Sequence, residues 1–123
     1  DFYNLAKQKG NFYANAPLAE IYKIGYGVAK NDDMAIDLLE DVEDLDPIAA
    51  YKLYFYYMDK TKTKAAIELL TFAAKNNVKP AQKEMSDLYL NGEYVQRDLE
   101  LANRWLEEYN ENPISFINKI YGL

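Results

Sequence analysis

At 123 residues, half of them apolar and 28% charged, the chain is sized for one domain or a piece of a larger one, and its composition is globular. Twenty acids against 14 bases give a net charge of −6, which argues against nucleic acid and against unspecific binding to an anionic membrane surface. Cysteine and histidine are absent, so disulfides, thiolate nucleophiles, imidazole bases and the usual zinc ligands are excluded.

No apolar run approaches the roughly 20 residues that span a bilayer, so direct membrane insertion is not expected. There is no signal-peptide pattern and no starting Met. The chain opens on Asp1, and an upstream part is therefore expected. The compartment is left open by the residues.

Eight helices are expected, at about 1–9, 15–25, 32–44, 47–58, 63–76, 80–91, 98–110 and 113–121. Phe2, Tyr3, Ala6 and Gly10 read as the second helix of an earlier unit and its exit, over residues 1–13. Residues 14–46 form a first repeat, 47–79 a shortened second and 80–112 a third. Residues 113–123 form a capping helix, with Ile114, Ile117, Ile120 and Tyr121 at helical spacing.

The repeat is visible as a constant offset. Ala14, Leu18, Ala19 and Tyr22 return 67 residues later as Ala81, Met85, Ser86 and Tyr89. Gly25, Gly27 and Val28 return as Gly92, Tyr94 and Val95. Ala35, Leu38 and Leu39 return as Ala102, Trp105 and Leu106. Between them lies the shorter copy, with Ala49, Leu53, Tyr54 and Tyr57 on its first helix. Ala66, Leu69, Leu70, Ala73 and Ala74 lie on its second. Pro47, Pro80 and Pro113 are spaced by 33 and 33 and mark helix starts, where proline loses no hydrogen bond. Asp46 and Asn112 precede two of them as N-caps, and Asn15 is the expected start in the first repeat. Gly25 and Gly92 suit the left-handed residue that ends a helix. Lys60 stands at that place in the middle copy, whose turn must close differently.

A helix pair of this length cannot hide its apolar face alone, so stacked pairs sharing a continuous core are expected. Alanines 14, 49 and 81, and again 35, 66 and 102, let helices approach. Leu18, Leu38, Leu53, Leu69, Met85 and Trp105 are expected to fill the space between.

The pattern of Ala14, Leu18, Tyr22, Gly25, Gly27, Val28 and Ala35 resembles the Sel-one-like repeat, a relative of the tetratricopeptide repeat. Ala81, Tyr89, Gly92, Val95, Asp98, Ala102 and Trp105 carry it again. Ala19 and Ser86 replace its small glycine, Tyr94 its second turn glycine and Asn31 its aspartate. The resemblance implies an all-α, right-handed superhelix that serves as an adaptor or scaffold segment for a protein or peptide partner. Many such proteins are bacterial and concern the envelope or secretion, which leans towards a periplasmic or envelope setting.

By analogy with that architecture, the first helix of each pair lines a concave face. Tyr13, Glu20 and Lys23, then Tyr51, Phe55 and Met58, then Lys83, Asp87 and Leu90 would point into it. An aromatic middle with charged flanks suits a peptide or partner helix. A carbohydrate-contacting or regulatory segment of an envelope or secretion protein, with tyrosines stacking on sugars, is the alternative, and plain packing against neighbouring helices is the structural one. The run Tyr51–Met58 is aromatic on every side of its helix, which points to burial on several faces. An exposed member would mark a contact patch.

Asp37, Glu40, Asp41, Glu43, Asp44 and Asp46 lack the glycine of a calcium loop and read as a solvated face. Lys60, Lys62 and Lys64 are too few for nucleic acid, and weak contact with another copy of the chain is the sharper alternative. No glycine-rich phosphate loop is present, and no Ser or Thr has a base partner. Neither a cofactor nor an enzymatic activity is expected.

Overall fold

The computed structural model describes residues 12–25 and 29–113. Within them a short 3-10 turn, Phe12–Ala14, leads into six α-helices. These are α1 (Asn15–Ile24), α2 (Asp32–Glu40), α3 (Pro47–Asp59), α4 (Thr63–Lys75), α5 (Lys79–Asn91) and α6 (Leu99–Glu111). No strand occurs among the described residues. The units expected on Phe2, Tyr3, Ala6 and Gly10 and on Ile114, Ile117, Ile120 and Tyr121 lie outside them, as do Gly27 and Val28.

Helix starts follow local chemistry. Asp46 precedes Pro47, and its Oδ1 accepts from the Ile48 N–H at 3.0 Å. The Asn31 side chain accepts from Met34 N–H at 3.0 Å, and Asp98 from Leu101 N–H at 3.1 Å. Asn31 thus does the capping work of the aspartate it replaces, as the near-equal cap preference of the two residues allows.

Helix ends divide as expected. Gly25 and Gly92 close α1 and α5 at φ 81° and 69°. In the glycine-free middle turn, Thr61 takes the left-handed conformation at φ 60°. Tyr94, in place of the second turn glycine, is also left-handed at φ 64°. The expected helix over 32–44 stops at Glu40, and residues 41–45 form turns closed by Val42 N–H to Leu39 C=O and Leu45 N–H to Val42 C=O. Acids are unfavourable at the negative end of a helix dipole, and Glu40 and Asp44 would repel as an i, i+4 pair.

The pairs are α1 with α2, α3 with α4 and α5 with α6, and neighbouring pairs meet through α2–α3 and α4–α5. One continuous core runs through them. Ala35, Ala49, Ala66, Ala81 and Ala102 are all buried, and their small side chains allow the close approach. Ala14 does not share that role: it precedes the first turn of α1 and is only half-buried, while Ala16 and Ala19 are buried. Leu39, Leu53, Leu70 and Met85 fill the centre. Leu18, Leu69 and Trp105 instead pack at its edge.

Buried polar side chains satisfy backbone carbonyls across helices. Asn15 Nδ2 donates to Leu38 C=O at 2.9 Å, and Gln82 Nε2 to Ala74 C=O at 3.1 Å. Ser86, standing where the repeat pattern has glycine, donates its hydroxyl to Ala102 C=O at 2.8 Å. Asn112 Nδ2 donates to Gln82 Oε1 at 2.8 Å and to Asn77 C=O at 3.0 Å, which ties the end of the third pair to its start.

Candidate functional site

The first helices of pairs one and two, α1 and α3, touch one another directly. Between them lies a groove of about 340 Å³. Ala19, Leu39, Tyr51 and Phe55 give it apolar walls, and Glu20, Lys23, Lys52 and Asp59 set charges around it. Lys52 Nζ is 3.1 Å from Glu20 Oε2 and spans the groove from α3 to α1. The groove is therefore apolar in its walls and near neutral in charge.

Its aromatic wall follows from helix geometry. Tyr51 and Phe55 are one turn apart on α3, and their rings meet edge to face at 5.0 Å. Phe55 also meets Tyr54 edge to face at 5.0 Å. Of the run 51–58, Leu53 and Tyr54 are buried, Tyr51, Tyr56, Tyr57 and Met58 are half-buried, and Phe55 is 48% exposed. Burial on several faces is therefore the rule for this helix, and Phe55 is its one large apolar exception.

The phenols stay protonated. Burial pushes Tyr56 up to about 12, helped by the carboxylates of Asp32 and Glu20. Its buried hydroxyl oxygen has no hydrogen-bond partner. Burial also raises Tyr54, whose hydroxyl donates to Glu84 at 3.4 Å, and Tyr51, which feels the same carboxylate. A general base drawn from these tyrosines is thus disfavoured, because base work needs the phenolate.

Of the nine residues expected on the concave face, four line this groove: Glu20, Lys23, Tyr51 and Phe55. Met58 packs against the core instead. Tyr13 belongs to the turn before α1 and is exposed. Lys83 and Asp87 pair with one another at 2.8 Å on α5, and Leu90 is exposed at the end of the same helix. None of these last five is part of the groove wall. Sequence reasoning missed Lys52, Tyr56 and Asp59. Their signal is helical phase: Lys52, Phe55, Tyr56 and Asp59 follow the i, i+3, i+4, i+7 spacing that makes one face.

The acidic run divides. Asp37, Glu40 and Asp44 are exposed, as a solvated face should be. Asp46 is fully buried, and one oxygen of Glu43 is buried without a partner. No group of three potential metal-ligating side chains is found among the described residues. No described helix is long and apolar enough to cross a membrane. In the lysine spot, Lys62 Nζ lies over the Tyr57 ring at 5.1 Å from its centroid, so one of the three is held within the chain.

No protein-family model matches the sequence, and no curated protein matches it. Solved structures resemble the fold, two crystal structures among them. A protective antigen of uropathogenic Escherichia coli, displaying an SLR fold, superposes with a TM-score of 0.79 at 24% identity. The match covers 92% of this chain and 25% of that one. A Sel1 repeat protein from Oxalobacter formigenes superposes with a TM-score of 0.77, also at 24% identity, over 85% of this chain and 45% of that one. The chain thus spans a quarter to under half of the length of these neighbours. Six helices in successive pairs among the described residues, with these neighbours, show that the chain has the all-α solenoid fold of Sel1-repeat proteins.

Proposed function

We propose that the chain is a protein-interaction segment, an adaptor or scaffold piece of a larger bacterial protein, that takes a partner segment along the face built from α1 and α3. The observation that carries this is Phe55. A phenylalanine left 48% exposed beside an apolar groove costs solvation that burial against a partner would recover. Tyr51 holds its ring edge-on, so a docking side chain meets a preset surface. The Lys52–Glu20 pair and the charges of Lys23 and Asp59 at the rim fit the polar border of such a contact. A binding role rather than a catalytic one is further supported by the raised tyrosines and the missing histidine and cysteine. The larger-protein setting is supported by the small share of each structural neighbour that the chain spans. Both neighbours are bacterial and one is a protective antigen, which supports an envelope or secretion setting.

The test is selection of a phage-displayed peptide library on the chain, followed by titration of an enriched peptide. Truncating a central aromatic anchor costs at least about 2 kcal/mol, or roughly 30-fold in affinity. Phe55→Ser should weaken the peptide by that factor, whereas Glu100→Gln on the exposed start of α6 should leave it unchanged. Enriched peptides that ignore Phe55→Ser would overturn the groove. Binding on a glycan array with no enriched peptide would favour sugar stacking on the same aromatics instead.

A further inference from the structure

The second helices border two further grooves, the first of which is also lined by Tyr57 of α3. The first, about 250 Å³, is bordered by Glu43 and Asp44 after α2 and by Glu68, Leu69 and Phe72 of α4. The second, about 370 Å³, is bordered by Lys75 at the end of α4 and by Leu101, Arg104, Trp105 and Glu108 of α6. They are the same place in successive pairs. Ala35, Ala66 and Ala102 hold one buried position, at steps of 31 and 36. The step of 31 carries Glu43 and Asp44 onto Ala74 and Lys75. The step of 36 carries Glu68 and Leu69 onto Arg104 and Trp105.

Equivalent geometry therefore carries opposite charge. The first groove is lined by three carboxylates and no cation. One Glu43 oxygen is buried there without a partner. The second is lined by two cations and one carboxylate. Neither Lys75 nor Arg104 holds an ion pair among the described residues, and Arg104 does not close one with Glu108 four residues on. Both are exposed. Leu69 and Phe72 in one groove, and Trp105 in the other, give each a half-buried apolar floor.

We propose that two copies of the chain associate across these grooves about a two-fold axis, the acidic groove of each receiving Lys75 and Arg104 of the other. A two-fold contact must be self-complementary. A face that places an acidic groove and a basic groove one repeat apart meets that condition with itself. A separate peptide would have to be basic at one groove and acidic one repeat along. Helices of 13 residues are about 20 Å long, and neighbours lie about 10 Å apart. Two grooves thus offer roughly 400–500 Å² per copy, the scale of a weak and transient contact. The net charge of −6 on each copy opposes association in every register, and in this one the paired charges of the grooves offset it locally.

The test is sedimentation velocity of the 123-residue chain at increasing concentration and low salt. The expected mass rises from 14.3 kDa towards twice that, and falls back in about 1 M salt, where charges are screened within roughly 3 Å. Glu68→Arg alone and Arg104→Glu alone should each stay monomeric, because each sets like charge against like at both contacts. Their one-to-one mixture should associate again. At one contact the introduced arginine faces the introduced glutamate, and at the other the native Glu68 of one variant meets the native Arg104 of the other. Unchanged thermal midpoints show that the variants fold. A monomer at every concentration, association unmoved by either variant, or a mixture no better than its components would overturn the proposal. The groove between α1 and α3 is untouched by these substitutions, so the two readings fail independently.

Discussion

Asp46→Asn should stabilise the chain at neutral pH, although Asp46 is a working N-cap. The side chain is fully buried. Its Oδ1 accepts from Ile48 N–H, but its Oδ2 has no partner. Burial raises its pKa above the ordinary 3.8, against the opposing pull of the Ile48 and Ala49 N–H groups and of Lys52. The sign follows. A raised folded value means the folded state holds the proton more tightly, so this group's favourable contribution is complete below pH 3.8 and is lost as pH rises through the folded value. At pH 7 the carboxylate is a cost. Asparagine keeps the cap oxygen at nearly equal preference and removes the charge. The third pair shows the amide version at this place: Asn112 precedes Pro113 as Asp46 precedes Pro47, and its Nδ2 donates to Gln82 Oε1. Gln82 corresponds to Asn15, whose Oδ1 is likewise buried without a partner. An unpaired buried polar group costs about 1–3 kcal/mol, and losing a carboxylate at a helix start costs about 0.3–1 kcal/mol. The net gain is about 1 kcal/mol, or roughly 4 °C in Tm for a domain of this size. Thermal melts at pH 7, 5 and 3.5 check it, with the gain shrinking to nothing at the lowest pH. A variant that melts lower at pH 7, or a gain independent of pH, would refute the reasoning.

Two further substitutions bear on the fold. Gly92→Ala should cost about 1–3 kcal/mol, since φ is 69° and the added Cβ would sit 3.0 Å from Arg97 Cβ; urea melts measure it, and a loss under about 0.5 kcal/mol would mean the turn relaxes freely. Leu70→Ala, at a fully buried position in the middle of the core, should cost about 2–5 kcal/mol, with calorimetry as the readout and a single transition expected if the pairs melt together.

The helix pairs were legible because each depends on chemistry local to a few residues. Proline at a first turn, an aspartate or asparagine before it and a glycine after the last turn are strong signals at short range. Depth of burial was less legible. The 67-residue offset aligns Ala14 with Ala81, yet only Ala81 is buried, because Ala14 lies in the 3-10 turn before α1 while α5 has already begun at Lys79. Leu69 and Leu70 differ in the same way: adjacent residues on a helix point about 100° apart, and only Leu70 faces the centre. The acidic run failed as a unit because composition treats six carboxylates alike, while the turn after Glu40 sends Asp46 inward and leaves Asp44 out.

The site was less legible still, for a reason built into the architecture. Repeats in a stack are equivalent in backbone but need not be equivalent in side chains. The residues that hold a repeat together recur, so an internal comparison finds them. The residues that give one groove its character are those that do not recur, and the same comparison passes over them. Phe55 is the outlier of an otherwise inward-facing aromatic helix. Glu68 and Arg104 share one position with opposite charge. Such differences become readable only once the helix pairs are superposed, when a departure from the repeat can be assigned to a face. In a solenoid, then, periodicity locates the scaffold, and the breaks in periodicity on its exposed faces are where binding has to be sought.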